Sequence, residues 1–121
     1  MPAPDGPQFN PVMGISDSIY DLRQSVAPHI NTHRSGREVN LYLKKYMDTA
    51  HMNEVFAHTA HIAGNTEDAR KHLDDVREAL TDAHQVIAYN LGSEHPATKL
   101  YTEKMADVNR KIENFQWDSQ F

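Results

Sequence analysis

Cysteine is absent from all 121 residues, which removes disulfides, thiolate metal sites and cysteine nucleophiles together. Long apolar runs are missing too, and none approaches the ~20 residues that a membrane span needs. Glycine is sparse, with five in the chain, and none opens the glycine-rich loop that cradles phosphate ahead of a helix. No serine stands in a Gly-x-Ser-x-Gly elbow. Strand signals are also lacking, because period-two alternation of β-branched residues persists nowhere. Clustered basic charge is absent: Lys44-Lys45 and Arg110-Lys111 are the longest basic runs, in a chain of net charge −5. Phosphate attraction needs denser lysine and arginine than this, so nucleic acid is not expected as a partner, and neither is a membrane. The first residues carry neither a basic nor an apolar leader pattern, and a cytoplasmic protein, or one in a particle assembled in the cytoplasm, is the expectation.

What is present is helical periodicity. Residues 1–14 contain four prolines and two glycines, with Phe9, Val12 and Met13 spaced among them. Proline fixes φ and removes amide donors, so this stretch predicts an extended arm, followed by one helical domain over residues 15–121. Ser16 suits a helix N-cap with Asp17 in the first turn, and Ile15, Ile19, Leu22 and Val26 follow at helical spacing. Pro28 is expected to close this short helix.

Ser35, Gly36, Arg37 and Glu38 form a capping-box pattern for a second helix. Val39, Leu43, Tyr46, Ala50, Phe56, Ala60 and Ala63 give its apolar face, with Tyr42 and Met47 widening it, and Gly64 supplies a left-handed cap. Thr66 is expected to cap a third helix. Its seam, Ala69, Leu73, Val76, Leu80, Ala83 and Ile87, alternates steps of four and three and predicts a near-antiparallel neighbour. Leu91-Gly92 ends it. His95-Pro96 opens the last helix, where Tyr101, Met105, Val108, Ile112 and Phe115 repeat the spacing. The expected fold is all-α: an antiparallel bundle of one short and three long helices.

Two fragments resemble tetratricopeptide repeats of the kinesin-light-chain type. Phe56, Ala57, Ala60, Gly64, Ala69 and Leu73 match one in order and spacing, and Leu91, Gly92, His95, Pro96 and Thr98 match the turn that opens the next repeat. The resemblance covers about half the chain, and the helix from Thr66 to Leu91 is about two turns longer than such a repeat uses. It implies a peptide- or protein-binding groove and no catalysis.

Histidine is the unusual count, at eight. His51, Glu54, His58 and His61 fall along one helical stripe and are candidate ligands for a divalent ion. The same residues also read as ordinary polar positions of a helix surface, and no metal or cofactor is assigned. Histidines gathered at a subunit contact would charge together on acidification. Phe115, Trp117 and Phe121 leave the last helix at a spacing that cannot serve a single core, and aromatic groups are enriched in buried interfaces. The expectation is a non-enzymatic assembly protein, a homo-oligomer or part of a larger particle such as a bacteriophage virion. Its partner-binding residues are Phe9, Val12, Met13, Phe115, Trp117 and Phe121. The alternatives are a tetratricopeptide-like adaptor and a metal- or pH-responsive helical protein.

Overall fold

The computed structural model describes residues 11–114, with side chains from residue 14 onward. Four helices occupy nearly all of them: α1 (Pro11–Asn31), α2 (Gly36–Ile62), α3 (Thr66–Leu91) and α4 (Pro96–Glu113). Among the described residues there is no strand. Each helix packs on the next and α4 returns to α1, so the four close a ring. Pairs across each junction fix an antiparallel sense. Ser16 meets His51 and Asn31 meets Asn40 between α1 and α2. Asn53 meets His72 between α2 and α3, and Leu80 meets Tyr101 between α3 and α4. Asp21 meets Lys104 and Ser18 meets Lys111 between α1 and α4.

The core is a set of stripes at three- and four-residue spacing, the period that keeps one helix face turned inward. The α3 seam is buried as its spacing predicts, from Ala69 through Leu73, Val76, Leu80 and Ala83 to Ile87, and Ala79 joins it. From α4 come Ala97, Tyr101, Val108 and Ile112, with Met105 only partly covered.

The first helix corrects the sequence reading twice. It begins at Pro11, so residues 11–14 are helical and not part of an extended arm. Proline is favoured at a first helical position, and the start at Pro11 places the fully buried Ile15 within the helix. Ser16 therefore lies inside the helix and is no N-cap. Pro28 does not end it either, because the apolar stripe Ile15, Ile19, Leu22, Val26 continues to a fully buried Ile30. Pro28 and Gln24 are both exposed, so the carbonyl that loses its helical donor stands on the wet side. All four helices are long.

The second helix departs in its cap and its face. Ser35 makes no side-chain cap; its own N–H donates to His33 Nδ1 at 3.0 Å. The turn is too tight for the capping box. Gly36 is buried, its N–H donates to the His33 carbonyl at 2.8 Å, and a Cβ there would overlap the Ile30 carbonyl. The buried stripe is Val39, Leu43, Met47, Ala50, Glu54 and Ala57. Tyr46 only flanks it, and Tyr42, Phe56 and Ala63 are exposed. Aromatic bulk misled the reading here, since the inward positions take smaller or unbranched groups.

At the α2–α3 turn Gly64 has φ +81°, as expected, and the Asn65 N–H donates to the Ala60 carbonyl at 2.8 Å. That is a Schellman closure. The cap of α3 is Asn65, which accepts from the Asp68 N–H, and Thr66 is the first helical residue. Pro96 opens α4 as expected, and His95 caps it by accepting the Ala97 N–H on Nδ1 at 3.1 Å.

Candidate functional site

Two concave surfaces stand out, one on either side of α2. The first lies between α1 and α2, a cleft of about 350 Å³ lined by Ser16, Asp17, Tyr20, Arg23, Asp48 and His51 among others. Behind it Glu54 is 1% exposed, a carboxylate in the apolar stripe of α2. Burial pushes its carboxyl above the ordinary range, opposed by His51, a Ser16 hydrogen bond and His58, and helped by Asp17. His51 Nδ1 lies 3.6 Å from Glu54 Oε1 and 3.4 Å from Ser16 Oγ.

A serine, a histidine and a carboxylate in one place invite comparison with a hydrolytic relay. The geometry is wrong for it. A relay needs the hydroxyl on one ring nitrogen and the carboxylate on the other; here both approach Nδ1. The trio is better described as a polar pocket that partly satisfies a buried acid. Sequence reading placed His51 and Glu54 on one stripe. It missed Ser16, which comes from another helix.

The remaining metal candidates do not complete a ligand set. His58 and His61 are half-buried. Among the described residues, no group of three or more His, Cys, Asp or Glu side chains is placed to hold a metal ion. Several other histidines have local structural roles. His33 and His95 accept backbone N–H groups, with their rings edge to face at 5.7 Å. His72 packs on Phe56, and His84 on Tyr101.

The second surface is a groove along the α2–α3 hairpin. A section of about 630 Å³ is lined by Val39, Tyr42 and Tyr46 from α2 and by Asp82, Val86 and Tyr89 from α3, with Glu38, Gln85 and Asn90 at its edge. A second section, sharing Tyr46 and Asp82, carries it on past Asn53, Asp75 and Glu78. Antiparallel packing of long helices creates it, because small core residues such as Ala79 and Ala83 draw the axes together while tyrosines stand up on either side. Tyr42 is 51% exposed and Tyr89 90%. Helical spacing in the sequence assigns Tyr42 to the core and gives no signal at Tyr89; only the pairing of the two helices shows that they share a face.

Of the partner residues expected from sequence, Val12 and Met13 lie in α1 with side chains outside the described set. Phe9, Phe115, Trp117 and Phe121 lie outside the described residues. The turn that resembles tetratricopeptide repeats has a clear local logic. Thr98 is buried and donates to the Gly92 carbonyl at 2.7 Å, Gly92 has φ +97°, and His95 caps α4. No described helix is long and apolar enough to cross a membrane. Compared with known proteins, the chain matches no family model, no curated protein and no solved structure.

Proposed function

We propose that this chain is a non-enzymatic assembly protein that docks another protein on its α2–α3 face, with residues 1–10 and the aromatic stretch 115–121 as further grips. The observation that carries this reading is the groove flanked by Tyr42 and Tyr89, two large, largely exposed aromatic side chains on a hairpin whose own core is filled. Tyrosine supplies contact area at low entropic cost, and exposed aromatic groups around a groove mark interfaces more often than they mark idle surface. The other exposed large apolar groups of α2 are Phe56, together with Leu41, Met52, Val55 and Ile62, which helical spacing turns to the outward side of the helix. A subunit of a larger particle assembled in a cytoplasm suits that combination. A tetratricopeptide-like adaptor is the second reading, favoured by the Gly92–Thr98 hydrogen bond and the His95 cap in the turn between α3 and α4.

The test is solution mass by light scattering, on the full chain and on a chain lacking residues 1–10, with a photo-reactive residue at position 89. Self-association lost on truncation, or a crosslink from position 89 to a protein surface, supports assembly. A monomer in both forms that gives no protein crosslink in an extract of its own host sinks it.

A further inference from the structure

The charges along the α2–α3 groove are of one sign. Glu38, Asp75, Glu78 and Asp82 line it, and no lysine or arginine does. None of these four carboxylates takes part in a salt bridge among the described residues, a property they share with Asp17, Glu67, Asp68, Asp74 and Glu103, so it is their gathering along one groove that sets them apart. Lys45 approaches this face, its Nζ 5.8 Å from the Tyr46 ring centroid, and the exposed Lys71 stands one turn before Asp75 on α3. The lining itself holds four acids and no Lys or Arg, and the Lys45 contact shows that a cation is accommodated against the Tyr46 ring.

The distribution is ordered as well as one-sided. Tyr42, Tyr46, Val86 and Tyr89 gather where α2 begins and α3 ends. Asp75, Glu78 and Asp82 follow on α3 at steps of three and four residues, one stripe of a helix. From these features we infer that the groove receives an amphipathic helix of a foreign protein, apolar at one end and carrying Lys or Arg at three- and four-residue spacing beyond it. This rests on the reading of the chain as a protein-docking module and names the chemistry of the partner. A second copy of this chain is a poor fit to the groove face to face, because that sets the four lining carboxylates against four with no lysine or arginine in either lining. A basic helix meets Asp75, Glu78 and Asp82 with counter-charges at matching spacing, while its apolar end covers the tyrosines beside Glu38.

The experiment uses the full chain and two labelled synthetic helices of roughly 18 residues, five turns long. Both carry the same leucine stripe; one has lysine and the other glutamate at the flanking positions. Fluorescence anisotropy is read at about 50 mM and about 300 mM salt, so that the Debye length changes about 2.4-fold. The lysine helix is expected to bind at least about tenfold more tightly than the glutamate helix, and to lose that advantage at high salt. Tyr89→Ala should weaken it about tenfold. Glu78→Lys combined with Asp82→Lys should reverse the preference between the two helices. These positions are on the surface, and circular dichroism checks that the variants stay folded.

Equal binding of the two helices, or binding of the lysine helix unaffected by either variant, overturns the inference. If neither helix binds while position 89 still crosslinks to another protein, the basic-partner inference fails and the docking reading stands. If position 89 crosslinks to a second copy, the occupant is the chain itself and the inference also fails.

Discussion

The Tyr101 phenol of α4 donates to the Leu80 carbonyl of α3 at 2.6 Å, inside a core where both side chains are fully covered. It pins the helix pair that packs least extensively in the ring. Replacing Tyr101 by Phe keeps the ring and deletes the bond. The expected cost is about 1 kcal/mol, since the Leu80 carbonyl retains its own helical position as an acceptor. A lower urea midpoint at unchanged slope is the result that bears this out. Burial holds the Tyr101 phenol far above its ordinary range, so the folded state keeps the proton that the unfolded state gives up. That contribution is intact below the ordinary phenol range and is lost as the pH climbs above it. In an alkaline titration, Tyr101 should therefore ionise only together with unfolding.

Seam and groove should respond differently to truncation. Leu80→Ala opens a cavity in the core and is expected to cost about 2–5 kcal/mol. Tyr89→Ala removes a side chain that is 90% exposed and should stay within about 0.5 kcal/mol of the parent. Chemical denaturation of the two variants side by side checks both figures, and a large loss at Tyr89 would mean that it supports the fold.

Glu54 gives a pH dependence of defined sign. Its carboxyl is raised in the folded state chiefly by burial, so folding binds this proton more tightly than the unfolded chain does. The group favours folding most at acid pH, and that support is lost as pH rises through the ordinary carboxylate range to the raised value. Glu54→Gln removes the burden of a buried charge. The variant should be more stable than the parent at about pH 7, with the gap closing towards about pH 4. Denaturation midpoints at the two pH values measure it; a variant weaker than the parent at neutral pH would show that the His51 and Ser16 contacts outweigh burial.

Gly36→Ala sets a methyl group against the Ile30 carbonyl, which is backbone and cannot swing away. Separation of α1 from α2 at this turn is the only relief, and the expected loss is about 1–3 kcal/mol. Thermal melts of Gly36→Ala beside Gly14→Ala, where a Cβ meets nothing, isolate the effect.

The parts legible in the sequence were those set by period and by local chemistry. The α3 seam and the Pro96 start of α4 follow from residues near one another in the chain, and so does the Gly64 turn. Pro28 was misread because its local preference against helix is real but was outvoted by the burial of Ile30 two residues on. The capping box at Ser35 failed for a similar reason: the demand of Gly36 for contact with Ile30 left the backbone no room for it. On α2, two apolar sets at helical spacing were available, and only the positions of α1 and α3 decide which faces inward. The groove was illegible for the same cause, since Tyr42 and Tyr89 are 47 positions apart and become neighbours through packing. Ser16 joins His51 by that route too.

The return of α4 to α1 bears on the order in which the molecule forms. Ser18 and Lys111 meet across 93 positions, while α2 and α3 are joined by three residues between Ile62 and Thr66. Loop-closure entropy favours sequential hairpins over the α4–α1 pairing, and α2 and α3 pack most extensively of these, so the central hairpin is the natural nucleus. It also sets the start of α1 beside the end of α4. A circular permutant that links those two points through a short tether, with new ends at the Gly64 turn, would keep the packed contacts among the described helices. It would turn the nearest pairing in the chain into the most remote, and folding should slow while the finished bundle stays the same.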